Sequence, residues 1–416
     1  MTVKRISFVA PPFAGHLNPL LELAKAASIA GHEVTMITGE AKIPSVMALG
    51  IHATALMCLN DKKLERIANT EKPVLGNPLR LFDQLQKSLA VVTEARRELN
   101  TLWQNAQPDL VVADSVAVAA GLAATDLGLP WITTIATPFA IECRSGTPSY
   151  VGGWSEGSTI LHKLRNAAGR FLVRRVKKGL AYAVRHQLAI LDTEVYRSDG
   201  SEACYSPTSI LGFGLRELEF ERDWPPPFRM IGPLYRNPEP VAMPTLPSAR
   251  PRVLVTLGTH LPWAKSKLAE DIVWLAANRP RISFVGSLGT VGLDNEVSAL
   301  ADNAVLHSFI PYAEGLSSFD AIIHHGGAGI TYAAIAAGKP AIVVPHDYDQ
   351  FDYAARIVAK GAGLRVDRLR SKATLAALDR VLIPENFCNL PKLAEAAKRY
   401  KPHETFLAEV SKLIGS

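Results

Sequence analysis

The chain has 416 residues, of which 48% are hydrophobic and 20% are charged, and its formal net charge is +6. This composition excludes a disordered or fibrous protein and is typical of a soluble α/β protein. The length favours two domains with a cleft between them, because each would be large enough to bury its own core. No apolar run reaches the roughly 18 residues of a membrane-spanning helix, and the modest charge predicts no nucleic-acid partner.

Predicted strands and helices alternate along both halves of the chain. The first half reads, in order, as strand KRISFVA, helix 20–30, strands EVTMITG and IHATAL, helix 78–104, strand DLVVAD, an alanine-rich helix and strand WITTIAT. The second half gives strands RVLVTLG, ISFVGS, AVLHSF, AIIHH and AIVVP with helical intervals. This alternation predicts two Rossmann-like, doubly wound parallel sheets that face each other across a cleft.

A proline-rich segment separates the two halves. Residues 233–251, PLYRNPEPVAMPTLPSARP, contain six prolines, which neither a helix nor a sheet tolerates in its interior. We therefore expect a first domain over 1–234, a linker over 235–250 and a second domain over 251–402.

The amino-terminal residues MTVKRISFVAPPFAGHLNP place two basic residues before an apolar stretch, as a signal peptide does. Pro11 and Pro12 end that stretch early and no small-residue cleavage pattern follows, so we expect a strand and a cytoplasmic protein. The cysteines are scattered without metal spacing, which predicts neither a zinc site nor a disulfide framework. They are Cys58, Cys143, Cys204 and Cys388.

A basic stretch over 159–188 carries eight lysines and arginines and no acid. They are Lys163, Arg165, Arg170, Arg174, Arg175, Lys177, Lys178 and Arg185. Apolar residues recur there at helical spacing, from Leu161 to Leu180, and predict an amphipathic helix or a pair of helices. Two interpretations stay open: peripheral contact with an anionic membrane, at the inner face, or a solvated face that covers the core.

The two halves also share one local plan. The segments beginning DLVVAD and DAIIHH each run from an Asp through an apolar strand and a small-residue helix to Gly-x-Pro and a second strand. Each would form one β-α-β step whose first strand ends at a ligand crevice. In this register Asp114 and His325 lie at equivalent strand ends.

Glycines follow the strand AIIHH directly. Gly327 and Gly329 would let backbone amides approach an anion closely at the start of a helix, and Gly258 with Thr259 ends another strand in the same half. The spacing matches neither a Walker A loop nor the G-x-G-x-x-G fingerprint. A phosphate site and simple close packing of the helix are both consistent with this turn.

Taken together, these motifs resemble the nucleotide-sugar-dependent glycosyltransferases of the two-domain GT-B fold, in the family of small-molecule and natural-product enzymes that includes the UDP-glycosyltransferases. The likeness covers nearly the whole chain and is most specific over 309–350. It implies a nucleobase wall, a diphosphate turn and a pair of sugar-binding residues. In this sequence the nucleobase wall is Phe309, Ile310 and Pro311. The diphosphate turn is His325, Gly327 and Gly329, and the sugar-binding pair is Asp349 and Gln350.

Two positions depart from the family pattern. Ile330 stands where bacterial members usually have the first of two threonines, and Ala333 stands where plant members carry a ribose-binding Glu. We expect Thr331, Thr259 or backbone groups to supply the missing contacts.

The segment PPFAGHLNP resembles the family's amino-terminal pattern, in which a His lies at the start of a helix, here His16. An imidazole suits removal of an acceptor proton near neutral pH. A carboxylate holds the other ring nitrogen and stabilises the imidazolium, and Asp114 is the candidate for that role.

The resemblance implies a single inverting displacement that requires no metal and no cofactor, with a UDP- or TDP-sugar as co-substrate and a hexose such as glucose as the transferred group. The acceptor would be a small hydrophobic or lipid-like alcohol such as a carotenoid, held by Phe139, Tyr150 and Trp154. The final helix, about 403–416, would cross back onto the first domain. The alternatives are a non-catalytic binder of nucleotide sugars, an epimerase of the same architecture and a peripheral membrane scaffold.

Overall fold

Two parallel β-sheets form the framework of the molecule. The computed structural model describes residues 2–57, 60–68, 77–237, 241–258, 262–290 and 297–415. Within these residues each half of the chain forms a seven-stranded sheet. The first sheet has the order β3-β2-β1-β4-β5-β6-β7 and the second has the order β10-β11-β9-β8-β12-β13-β14. All pairs are parallel except β10 with β11. The fold predicted from the sequence is confirmed.

The strands of the first sheet are β1 (Arg5–Val9), β2 (Glu33–Thr38), β3 (His52–Ala55), β4 (Leu110–Asp114), β5 (Trp131–Ile135), β6 (Ile210–Gly212) and β7 (Phe228–Met230). Those of the second are β8 (Arg252–Thr256), β9 (Ser283–Ser287), β10 (Val297–Ala301), β11 (Ala304–His307), β12 (Ala321–His324), β13 (Ala341–Val343) and β14 (Gly363–Arg365). Every residue of β4, β8 and β12 is buried, as expected for strands covered by helices on both faces.

The helices of the first half are α1 (Ala14–Ile29), α2 (Ile43–Ala48), α3 (Asp61–Ala68), α4 (Pro78–Asn105), α5 (Val118–Asp126), α6 (Ile160–Ala183) and α7 (Arg185–Ile190). The second half adds α8 (Pro262–Lys265), α9 (Leu268–Asn278), α10 (Tyr312–Gly315), α11 (Ala328–Ala336), α12 (Gln350–Ala359), α13 (Lys372–Val381), α14 (Leu390–Arg399) and α15 (Pro402–Ile414).

The first helix begins earlier than the sequence predicted. It starts at Ala14, not near residue 20, and includes Pro19. A proline removes one backbone donor and normally signals a break, so the pattern was misjudged there. The earlier start places His16 in the first helical turn, directly after β1.

The two sheets use the same local topology around their centres. Val9 of β1 lies opposite Ala113 of β4, and Thr256 of β8 lies opposite His324 of β12. In each sheet the chain runs outward in both directions from this central pair of strands, so their carboxyl ends border a crevice. Asp114 ends β4, and His325 directly follows β12.

The last helix packs on the first sheet. Phe406 and Val410 of α15 are buried with residues of that sheet and of α1, and the ring of Phe406 lies 5.9 Å from the ring of Phe8. The chain between the sheets, over residues 231–237 and 241–251, contains no helix or strand. The two halves are therefore joined both by this segment and by the return of the carboxyl terminus.

Candidate functional site

A cavity of about 750 Å³ lies between the two halves of the molecule. Its walls come from the β1–α1 turn, α4 and the β4–α5 turn on one side, and from the β12–α11 turn and residues 348–350 on the other. Gln84 of α4 donates a hydrogen bond to the hydroxyl of Tyr348 across it, at 3.2 Å. The cavity thus occupies the crevice that the strand order defines.

His16 and Asp114 form a hydrogen-bonded pair in the wall of this cavity. His16 Nδ1 lies 3.0 Å from Asp114 Oδ1, and the side chains are 29% and 1% exposed. Asp114 Oδ1 also accepts a hydrogen bond from the backbone amide of Val116 at 2.8 Å, which fixes the carboxylate. With Nδ1 held by Asp114, the other ring nitrogen of His16 is available to a ligand.

The pair alters the acidity of the imidazole. Burial by itself would lower the pKa of His16. The negative charge of Asp114 and its hydrogen bond outweigh burial, with a smaller contribution from Asp349, so the pKa lies above its ordinary value of 6.5. His16 is therefore a stronger base than an isolated imidazole.

The β12–α11 turn depends on two different histidines. His324 is fully buried, and its Nδ1 accepts a hydrogen bond from the amide of Gly326 at 3.0 Å. Burial lowers the pKa of His324 to about 3, so the ring stays neutral and keeps this acceptor. The sequence analysis did not identify His324 as a residue that positions the turn. His325, the next residue, lines the cavity.

The glycines of the turn make room for the His325 ring. A Cβ on Gly258 would lie 2.6 Å from His325 Cε1, and one on Gly327 would lie 2.4 Å from His325 Nε2. Gly258 also has a φ of +72°, which side chains rarely adopt. A Cβ on Gly329, in contrast, would meet nothing within 4 Å. Two glycines therefore accommodate the imidazole, whereas the third leaves open space in the cavity.

The amino end of α11 faces the same space. Ala328, Gly329 and Ile330 line the cavity, and their amides belong to the first turn, which has no intrahelical acceptors. These amides and the positive end of the helix dipole favour an anion. Thr331 is fully buried and does not line the cavity, so it does not supply the hydroxyl that Ile330 lacks. Thr259 lies outside the described residues.

Asp349 and Gln350 lie on the cavity wall opposite His16. Asp349 Oδ2 accepts a hydrogen bond from the hydroxyl of Thr137 at 2.7 Å, across the two halves. Burial raises the pKa of Asp349, although this hydrogen bond opposes the shift. Gln350 Oε1 accepts the amide of His346 at 2.8 Å, which leaves its side-chain NH₂ group for a ligand. Thr137 was missed, although it follows β5 at the same edge of the sheet.

The predicted nucleobase wall is only partly in contact with the cavity. Phe309 lines it, whereas the side chain of Ile310 is buried in the core with Leu254 and Leu316, and Pro311 precedes α10 without lining the cavity. The family resemblance implies a role for the backbone of Ile310, which would pair with the edge of a uracil or thymine, and burial of the side chain does not test that role.

Comparisons with known proteins find similar chains among glycosyltransferases. The model of the erythromycin biosynthesis protein CIII-like C-terminal domain matches residues 291–406. The L-demethylnoviosyl transferase of Streptomyces niveus is 28% identical over 372 residues, 86% of this chain and 84% of that protein. The zeaxanthin glucosyltransferase of Pseudescherichia vulneris is 28% identical over 384 residues, 90% of this chain and 89% of that protein. These findings support a glycosyltransferase of the natural-product, UDP-glycosyltransferase-like type.

Solved structures show the same fold for this glycosyltransferase. The glycosyltransferase of kitacinnamycin matches with a TM-score of 0.77 and 20% identity, over 100% of both chains. SsfS6 of Streptomyces sp. SF2575, solved with thymidine diphosphate, matches with a TM-score of 0.68 and 20% identity, over 98% of this chain and 99% of its own. At these identities the likeness concerns the GT-B fold alone.

The acceptor side of the glycosyltransferase differs from the sequence prediction. Tyr150 lines the cavity, but Phe139 and Trp154 do not. Phe139 is buried under the guanidinium of Arg356, 3.9 Å from its ring, and Trp154 packs beside Arg165. They were predicted from the loop after β5 and the segment SGTPSYVGGW, but Phe139 is fully buried and the Trp154 ring lies against α6 near Gly169.

Apolar side chains of α4 and the neighbouring turns form the cavity wall on that side instead. They include Met57, Val91, Val92, Ala95 and Val116. The amphipathic pattern of 78–104 predicted the helix but did not show that part of its apolar face would stay uncovered.

The described residues contain neither a grouping of metal ligands nor a helix fit to cross a membrane. No three His, Cys, Asp or Glu side chains there are grouped as a metal ion would require. No helix of the same part of the chain combines the length and the apolarity needed to cross a bilayer.

Proposed function

We propose that the enzyme transfers a hexose from a nucleoside-diphosphate sugar to the hydroxyl of a small hydrophobic or lipid-like acceptor. The observation that carries this proposal is a shared cavity. His16, held by the buried Asp114, lines it on the side of the first sheet, and the amino end of α11 lines it on the side of the second. A base and an anion site thus face each other across a space large enough for a sugar.

The proposed chemistry is a single inverting displacement. The free ring nitrogen of His16 takes the acceptor proton while the acceptor oxygen attacks the anomeric carbon. The bond from that carbon to the diphosphate oxygen breaks on the opposite face, so the configuration inverts. Asp114 stabilises the imidazolium that forms.

The leaving diphosphate takes up the bonding electrons as negative charge. The amides of Ala328, Gly329 and Ile330, the dipole of α11 and His325 are placed to stabilise this charge. In this proposal they serve in place of a divalent cation, so activity should persist in EDTA. Without a hydroxyl at Ile330, backbone donors contribute most of the binding at this turn.

The donor sugar would contact Asp349 and Gln350. A carboxylate and an amide suit the hydroxyls of a hexose such as glucose, and one relative is named a glucosyltransferase. The base of the nucleotide would lie against Phe309. A UDP-sugar is the first donor to test and a TDP-sugar the second, since a structural neighbour was solved with thymidine diphosphate.

The acceptor would occupy the apolar part of the cavity next to α4. Its wall of aliphatic side chains suits a ring system or chain with few polar groups, and His16 would meet the hydroxyl. A carotenoid-like alcohol fits this description. The relative named zeaxanthin glucosyltransferase supports the choice of such an acceptor. We place this reaction in the cytoplasm.

A donor-by-acceptor screen read by mass spectrometry tests the proposal. We expect a mass gain of one hexose on hydrophobic alcohols with a UDP- or TDP-sugar, with and without EDTA. NMR of the product should show the anomeric configuration opposite to that of the donor. Product of retained configuration would contradict the displacement. Calorimetric binding of UDP without turnover on any acceptor would favour the non-catalytic alternative.

A further inference from the structure

Helix α6 presents its apolar side to the outside of the molecule. Leu161, Phe171 and Leu172 are 77%, 62% and 60% exposed. Ile160, Leu164, Val176 and Tyr182 are exposed along the same side. A helix on the surface of a globular protein normally buries such residues and exposes its charges. Helix α6 instead exposes apolar residues together with charged ones, so the apolar stripe does not cover the core.

The inward side of α6 is polar and makes specific contacts. Arg174 lies 3.0 Å from Glu142, and Lys177 lies 2.7 Å from Glu202. A Cβ on Gly169 would lie 2.7 Å from both Pro148 and Trp154. Rotation of the helix would break these ion pairs. It would also bring a residue with a side chain to the place where Gly169 contacts Pro148 and Trp154. The outward direction of the apolar stripe is therefore fixed by packing.

The rim of the stripe is basic. Lys163, Arg175, Lys178 and Arg185 are exposed, and no carboxylate occurs between residues 157 and 191. The guanidinium of Arg175 lies 4.9 Å from the ring of Phe171, and that of Arg185 lies 4.5 Å from the ring of Tyr182. Long basic side chains beside aromatic rings are suited to place their charge at a polar boundary while their stems lie on apolar surface.

We propose that this exposed side, the α6 face (Ile160, Leu161, Leu164, Phe171, Leu172, Val176 and Tyr182 with their basic rim), binds the surface of an anionic lipid bilayer. The apolar side chains would enter the boundary between headgroups and acyl chains, and the basic rim would pair with anionic headgroups. A second copy of the chain is a poorer partner, because a two-fold contact would bring the two basic rims together.

The face lies one helix layer from the cavity. Val184, which follows α6, and Leu188 of α7 share an apolar cluster with Leu89 of α4, and Val92 of α4 lines the cavity. A docked enzyme would therefore hold its acceptor cavity close to the lipid. This consequence rests on the proposed lipid-like acceptor, whereas lipid binding itself does not.

Vesicle flotation tests the α6 face directly. The full chain should float with vesicles of phosphatidylglycerol and phosphatidylcholine, and much less with phosphatidylcholine alone. Phe171→Asn/Leu172→Asn should weaken partition about a hundredfold, at roughly tenfold for each apolar side chain withdrawn from the bilayer. Arg175→Glu/Lys178→Glu should weaken it about tenfold or more on anionic vesicles.

Matched control variants distinguish binding by the α6 face from a general effect of removing exposed apolar residues. Ile29 and Val358 are exposed apolar residues on α1 and α12, and Ile29→Asn/Val358→Asn should float like the unaltered chain. Circular dichroism should show an unchanged fold in every variant. Transfer to a water-soluble acceptor should be unaffected by the α6 substitutions, so loss of lipid binding is distinguishable from failure of the glycosyltransferase proposal.

Three results would overturn the membrane proposal. One is an unaltered chain that does not float with anionic vesicles. Another is an α6 variant that floats as well as the unaltered chain. The third is a change from dimer to monomer on Phe171→Asn/Leu172→Asn without loss of lipid binding, which would assign the face to a second copy.

Discussion

His16 owes its base strength mainly to one neighbour, Asp114. Asp114 ends a fully buried strand, so its carboxylate position is set by the sheet, and the amide of Val116 holds one oxygen. The sheet register then brings that carboxylate to the first turn of α1, 98 residues away in sequence. The chemistry of the site therefore depends on the alignment of β1 and β4 more than on the local sequence around His16.

The pH dependence of transfer follows from this pair. A base must be neutral to take a proton, so kcat/KM should fall as the pH drops through the raised pKa of His16, with a midpoint above 6.5. Asp114→Asn removes the charge that raises this pKa, so the midpoint should move to lower pH. The rate should also fall about a hundredfold, because the imidazolium loses its partner. A pH-rate profile in which Asp114→Asn leaves the midpoint in place would contradict this account.

At the scale of elements, where β12 leads into α11, one glycine is required for packing and another for ligand binding. Gly327 lies against the His325 ring, whereas Gly329 lies in helix α11 beside open cavity. One glycine is thus needed for the turn itself, and the other for the approach of a ligand.

Alanine at these two glycines should give different results. Gly329→Ala should raise the thermal unfolding midpoint slightly, because alanine favours a helix by about 0.5 to 1 kcal/mol over glycine. It should also weaken UDP or TDP binding about tenfold, since the methyl group would occupy the space proposed for the diphosphate. Gly327→Ala should lower both stability and affinity. Calorimetry and thermal melts measure both quantities, and unchanged nucleotide affinity in Gly329→Ala would remove the anion site from this turn.

The sequence predicted the long elements and the strand-end residues, but not the direction of several side chains. Alternating strands and helices define a parallel fold, and strand ends then place His16, Asp114 and His325 at one crevice. Strands β6, β7, β10 and β14 were missed; each has only three to five residues, too few for a periodic pattern to decide, and the strands of similar length that were predicted had a stronger apolar run. Phe139 and Trp154 were misplaced because proximity in sequence does not determine the direction of a ring. The outward stripe of α6 depends on ion pairs with Glu142 and Glu202, which no local pattern indicates.

At the scale of the whole molecule, a buried ion pair joins the two halves. Arg356 of α12 lies 2.9 Å from Glu219, which precedes β7, and both side chains are almost fully buried. The guanidinium also lies over the rings of Phe139 and Phe220. A buried charged pair of this kind favours one arrangement of the two halves only while both partners are present.

Removal of one partner should therefore be costly. Glu219→Ala should lower the free energy of unfolding by about 3 kcal/mol, because Arg356 stays buried with only the more distant Asp352, 4.0 Å away, as a counter-charge. Glu219→Leu/Arg356→Met should recover most of this loss. The matched control is Glu217→Ala, which breaks an exposed pair with Arg399 and should cost at most about 1 kcal/mol. Urea unfolding measures all three, and equal losses in Glu219→Ala and Glu217→Ala would show that the buried pair does not hold the halves together.

The central claim is that His16 deprotonates the acceptor, and the rate of sugar transfer by His16→Ala tests it most directly. With an alcohol acceptor this variant should lose about 10²- to 10⁴-fold in rate, whereas His403→Ala, at an exposed histidine of α15, should not. With a carboxylic acid acceptor, which is already ionised, the loss should be less than about tenfold. Transfer to the alcohol at the unaltered rate in His16→Ala would contradict the account.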